Sequence, residues 1–168
     1  YDPQRHILLD NQLWQGRNGV HVFTPFTTGD GIGILVNRGW LPLQADRKIL
    51  PEILTPGNEI TISGRLNIIP VPGRMVGEAD KLETGRWPQL VTYMNHPDIV
   101  RALALPLETR IIQLSAEAEH GFEDRDWKPV FLSPERHRAY AFQWYALMVA
   151  AIVLWLLTSF RKEPGNNT

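Results

Sequence analysis

Of the side chains that can do chemistry, His137 is the best placed, standing just ahead of a long uncharged run and between Arg136 and Arg138. A neutral imidazole at the head of an apolar helix can supply an axial ligand to haem iron. Tyr140, Ala141 and Trp144 follow at i+3, i+4 and i+7. If the helix begins this early, they share the histidine's face and can wall a flat macrocycle. Arg136 and Arg138 can meet its propionates through charge-assisted hydrogen bonds. The same residues also suit a plainer role, with Arg and His at lipid headgroups and aromatics in the interfacial belt. On residue chemistry alone the plainer role carries more weight. Gln143 lies inside the run, where an unpaired amide is costly. A hydrogen bond to another membrane helix would satisfy it, with direct contact to a cofactor as the alternative.

Other chemistries find little support. With no cysteine among 168 residues, disulfides, iron–sulfur clusters and thiolate-held zinc or copper are excluded within the chain. The net charge is −1 and Lys and Arg are scattered. Nucleic acid, which needs a basic footprint to displace counterions, is therefore not an expected partner. Gly29, Gly31 and Gly33 precede a strand, whereas a dinucleotide fingerprint opens a helix after one. The serines lack a nucleophile-elbow context, and no enzyme signature emerges. His120-Gly121-Phe122-Glu123-Asp124-Arg125-Asp126 has ligands for a hard metal but reads more simply as a solvated acidic loop. His6, His21 and His96 are isolated in sequence, and His21 alternates with apolar neighbours as an outward strand position would. No metal other than haem iron is expected.

These candidates sit in two kinds of sequence. Ala139 to Phe160 holds 22 residues without a charge. As a helix it is about 33 Å long and apolar on every face, enough to span a hydrocarbon core about 30 Å thick. Basic residues flank it on both sides, so local charge leaves its orientation open. Residues 1–132 read as a β-rich domain, 133–138 as a juxtamembrane segment, 139–160 as the transmembrane helix and 161–168 as a tail. Within the domain, His6–Leu9 and Gln12–Trp14 lead through a turn at Gln15–Gly19 into Val20–Phe26, predicting a hairpin. Gly31–Trp40, Glu59–Ile69, Leu90–Met94 and Arg110–Leu114 are further predicted strands. Helices are predicted at Asp46–Leu54, shortened by Pro51, and at Pro97–Leu105, with Asn95 or His96 just outside. The Gly- and Pro-interrupted stretch 70–88 reads as a long loop. The predicted fold class is mainly β (α+β): an antiparallel sandwich or partly open barrel with one or two short helices, followed by a C-terminal transmembrane helix.

Four passages resemble the Surfeit locus protein 1 family of cytochrome oxidase assembly factors. They are Asp10-Asn11-Gln12 with Gly19–Phe26; Leu35-Val36-Asn37-Arg38-Gly39-Trp40-Leu41-Pro42; Ile62-Ser63-Gly64-Arg65-Leu66; and His137-Arg138-Ala139-Tyr140-Ala141-Phe142-Gln143-Trp144-Tyr145. Their order and spacing agree over nearly the whole chain. Gln12 departs from the arginine usual in the family. The resemblance implies a first membrane helix ahead of Tyr1 and an extracytoplasmic domain. That domain would be periplasmic at a bacterial inner membrane, or in the intermembrane space at a mitochondrial one. It further implies assistance in inserting haem a into the oxidase catalytic subunit, with His137 as candidate ligand and haem a biosynthetic enzymes as possible partners beside the lipid bilayer. A scaffold that steadies an oxidase intermediate without binding haem is the alternative. Asp10, Asn11, Asn37, Arg38, Gly39 and Trp40 would then be structural or form a partner surface. Arg38 is expected to pair with Asp10 or another carboxylate, Gly39 to supply an unusual torsion, and Trp40 to cover the core.

Overall fold

The computed structural model describes residues 1–70, 80–127 and 134–160, without the side chains of Pro134 and Arg136. The predicted tail at 161–168 and residues 71–79 of the predicted loop at 70–88 lie outside them. The chain divides into two compact units, Tyr1–Trp127 and Lys128–Thr168.

The first unit is built on a three-stranded meander. Strand β1 (Ile7–Trp14) turns through Gln15 and Gly16 into β2 (Arg17–Thr27), which runs antiparallel to it and to β3 (Gly33–Pro42). Both turn residues lie in the left-handed region, at φ 47° and 76°, the geometry that matches a two-residue turn to the twist of its strands. Strand β4 (Gly64–Ile68), β5 (Gln89–Val91), helix α1 (His96–Leu103) and β6 (Leu107–Leu114) complete the unit. The six strands of the described residues form one sheet in the order β4-β6-β3-β2-β1-β5. The mainly β character holds, but the sheet is mixed, because β1 pairs with β5 and β3 with β6 in parallel.

Alternating side chains feed two apolar layers. On one face Ile7, Leu9, Phe23, Leu35 and Ile111 pack with Ile99, Ala102 and Leu103 of α1 and with Leu82 and Met94. Each fully buried aliphatic or phenyl side chain here contributes on the order of 1.5–3 kcal/mol. On the other, Leu8, Val20 and Val22 meet Leu41, Leu43, Leu50, Ile53, Leu90 and Phe122. Helix α1 starts as predicted: the Asn95 side chain accepts from the Asp98 amide at 2.9 Å and donates to its carboxylate at 2.5 Å, and Pro97 fills the first turn. Asn95→Ala should therefore cost about 1 kcal/mol, read as a shift in the urea midpoint at unchanged slope.

One predicted element does not form and another is shortened. Asp46 makes one turn, its carboxylate accepting from the Lys48 amide (3.0 Å) and its carbonyl from the Ile49 amide (3.1 Å). Pro51 then denies Leu50 a helical backbone, and 46–54 continues without helix. Leu50 and Ile53 are used instead as apolar cover for the sheet. The strand predicted from Glu59 forms only from Gly64, because its neighbour β6 ends at Leu114, opposite Gly64. Beyond that point the chain turns, with the Ser115 amide donating to Ser63 O (3.0 Å) and the Ala118 amide to Ser115 O (3.1 Å).

In the second unit, helix α2 (Pro134–Ser159) begins five residues before the predicted span. His137–Ser159 is long and apolar enough to cross a membrane, and none of it is buried within the chain.

Candidate functional site

The first unit brings two of the singled-out passages together at one corner of the sheet. A bulge in β1 between Leu9 and Gln12 places Asn11 at φ 59°, and its amide donates to the Asp10 carboxylate at 2.6 Å. Asp10 is buried, and its other oxygen takes a guanidinium hydrogen bond from Arg47. Gln12 donates to Asp10 O (2.9 Å) and, through its own carbonyl, accepts from the Trp40 indole at 2.9 Å. Trp40 is fully buried, stacked obliquely with Trp14 at 5.3 Å. It packs so close over Gly19 that a Cβ there would lie 2.3 Å from the indole. The expected covering role of Trp40 is thus met by the structure.

Arg38 is 1% exposed, and its expected carboxylate is not its partner. Nε donates to His120 O (2.8 Å), one terminal nitrogen to Thr55 Oγ1 (3.0 Å) and the other to Leu54 O (2.7 Å). The rings of Tyr1 and Phe122 lie 4.8 and 4.7 Å from its guanidinium carbon. Burial lowers the guanidinium pKa from its usual value, with the Tyr1 phenol acting the other way. Asp10 cannot serve it, since Asp10 is held by Arg47. Arg38 therefore works as a clasp that ties the 54–55 segment and the segment after β6 to the sheet.

Gly39 carries the expected torsion, at φ 109°. There the chain after β6 lays itself against β3. The Phe122 amide donates to Arg38 O (2.6 Å), the Trp40 amide to Glu123 O (2.6 Å) and the Glu123 amide to Trp40 O (3.1 Å). The run 120–126 is thus docked to β3 through its backbone, while His120, Glu123 and Asp126 stay exposed. Arg125 turns inward to hold it, donating to the carbonyls of Ser115, Ala118 and Phe122 at 2.6 to 2.8 Å.

A polar row went unnoticed in the sequence. Arg65, Gln113, Asn37 and His21 come from adjacent strands β4, β6, β3 and β2. Arg65 donates to Gln113 Oε1 (3.0 Å) and to Trp127 O (2.6 Å). The Asn37 amide nitrogen lies 3.4 Å from His21 Nδ1, and His21 Nε2 lies 3.8 Å from an Asp124 oxygen. Trp127 meets the imidazole edge-on at 5.8 Å and donates its indole hydrogen to Leu114 O at 2.7 Å. His21 is thus enclosed, not outward. Its partners come from segments more than a dozen residues away, and no local pattern pointed to them. His6, likewise isolated in sequence, is buried against Thr24 Oγ1 (3.0 Å).

In the second unit His137 lies inside α2, one turn from its start, and is exposed. Tyr140, Ala141 and Trp144 are helical too, so all four residues share a face. Tyr140 and Trp144 are 58% and 71% exposed, free to meet lipid, a ligand or another helix. Arg138 and Gln143 are also exposed. Arg136 belongs to the helix, with its side chain outside the described residues.

These features define a mixed-sheet domain whose polar motif residues are spent on its own backbone, in a chain that also carries a membrane-length helix headed by a histidine. The chain belongs to the SURF1 family, whose sequence model matches residues 1–149, from the first strand well into α2. The family is one of cytochrome oxidase assembly factors, not catalysts. No curated protein and no solved structure gives a significant match.

Proposed function

We propose that this protein is a membrane-anchored assembly factor that takes up haem a, holds it through His137 at the start of α2, and releases it to the catalytic subunit of a haem–copper oxidase. The observation that carries this reading is the helical placement of His137, exposed and in line with Tyr140, Ala141 and Trp144. One imidazole on an open, aromatic helix face fits cargo that must leave again, where a closed pair of ligands would retain it. Arg136 and Arg138 are the propionate partners in this proposal, and lipid accommodates the apolar tail. Gln143 would bond another membrane helix, where its amide escapes the cost of hydrocarbon. The sheet domain then lies outside the cytoplasm: periplasmic at a bacterial inner membrane, or in the intermembrane space at a mitochondrial one. Domain limits at 132 and 138 follow the same proposal, as do contacts with the enzymes that make haem a.

The test is a visible spectrum of the detergent-purified full-length protein from cells making haem a, beside His137→Ala. A Soret band near one haem per protein is expected, falling at least about tenfold in the variant if the imidazole is the axial ligand. No haem in either preparation would overturn the carrier. It would favour a scaffold that steadies an unfinished oxidase subunit, a role to which a domain stiffened by Arg38 and Trp40 is also suited.

A further inference from the structure

The polar row offers an inference independent of haem. Asn37 is oriented from one side, because its carbonyl oxygen accepts from the Gly39 amide at 3.1 Å. That leaves its NH2 group facing His21 Nδ1 at 3.4 Å. Nδ1 must therefore be the acceptor, and the proton of the neutral ring sits on Nε2, toward Asp124. The groups at the ring are Asn37 from β3 and Asp124 and Trp127 from the segment after β6, with Gln113 of β6 and Arg65 of β4 farther along the row. Arg65 is engaged with Gln113 and the Trp127 carbonyl.

We propose that Asn37, His21 and Asp124 form an acid-sensitive latch for segment 120–127, closed while His21 is neutral and loosened when Nδ1 takes a proton. A proton on Nδ1 sets two donors face to face. The Asn37 amide must then turn, and the Gly39 amide loses its acceptor. Gly39 is the residue on which the segment docks, between the Arg38 O–Phe122 and Trp40–Glu123 hydrogen bonds. The protonated ring gains attraction to Asp124 across 3.8 Å and can donate from Nδ1 to the turned Asn37 oxygen, but neither contact gives the Gly39 amide back its acceptor.

The electrostatics run the same way. Burial lowers the His21 pKa below 6.5, and the Asp124 carboxylate only partly offsets it. Because the folded chain takes this proton less readily than the unfolded one, the stabilisation is complete above about pH 6.5 and is lost as pH falls below it.

The experiment is amide hydrogen exchange on the full chain in detergent micelles between pH 7.5 and 5, corrected for intrinsic exchange, with the His21 ring followed by NMR. Exchange at Trp40, Phe122 and Glu123 is expected to rise about tenfold or more relative to Val22 as the ring protonates. His21→Gln keeps an acceptor for Asn37 but cannot titrate, so its exchange should stay flat. Asp124→Asn should move the midpoint to lower pH. A flat wild-type response, or an acid response that survives in His21→Gln, would sink the latch. If His21→Gln does not fold, Asp124→Asn decides alone: a lowered midpoint supports the latch and an unmoved one overturns it.

Discussion

Replacing Arg38 by methionine is expected to destabilise the sheet domain by about 3–4 kcal/mol, a large part of the 5–15 kcal/mol a domain of this kind possesses. Methionine fills most of the volume, so packing is not the main loss. What goes is the set of three hydrogen bonds to His120 O, Leu54 O and Thr55 Oγ1. The part-buried carbonyls of His120 and Leu54 each lose a charged donor, at about 1–3 kcal/mol each. Relief of the cost of burying a cation returns part of this, which keeps the figure below the sum of the bonds. Lysine at the same place is expected to recover less than half, because an ammonium cannot reach three acceptors spread around a planar fork. Urea unfolding of the full chain in detergent, followed by tryptophan fluorescence, measures all three proteins. A methionine variant within about 0.5 kcal/mol of wild type would show that the clasp is dispensable.

The second large effect is expected at Gly39. An alanine Cβ there would stand 2.5 Å from Glu123 O and 2.9 Å from Arg125 Cγ, on a backbone at φ 109° that L residues rarely adopt. The arginine side chain can move aside, but the Glu123 carbonyl is backbone and is bonded to the Trp40 amide at 2.6 Å. Strain and displacement together are expected to cost about 3 kcal/mol. The damage should be local. Exchange at the Trp40 and Glu123 amides should rise well before exchange at Val22, and equal acceleration at all three would contradict this account.

Elements specified by neighbouring residues were legible in the sequence. Gln15-Gly16 set the hairpin, Asn95 and Pro97 set the start of α1, and uninterrupted apolarity set α2. The failures share one cause, which is partners distant in sequence. The 46–54 stretch carries helix-forming residues, yet Leu50 and Ile53 are claimed by the sheet face. Residues 59–63 have strand composition, but the ladder with β6 ends at Gly64–Leu114 and does not extend to them. Arg38 was expected beside a carboxylate because charge pairs are easy to imagine from sequence. Its actual acceptors are mainly backbone carbonyls, which carry no signature of residue type. The His21 environment was invisible for the same reason, being assembled from β3 and the segment that returns after β6. Among the haem-site candidates, the helical face of His137, Tyr140, Ala141 and Trp144 was readable from spacing alone once the helix began early enough.

The two parallel pairings bear on how the domain comes into being. The meander of β1, β2 and β3 is closed by short connections and needs nothing synthesised later. Yet Ile7 waits for Gln89, and Leu35 waits for Ile111, before either outer edge is covered. Closing loops of that length comes late and slowly, after the local hairpins have formed. Emerging from a ribosome or a translocation pore, the chain would therefore pass through a stage with both edges of an apolar meander open. A protein devoted to the assembly of others thus spends its own youth as an exposed three-stranded sheet, a state that sticks to other chains unless its final strands arrive in time.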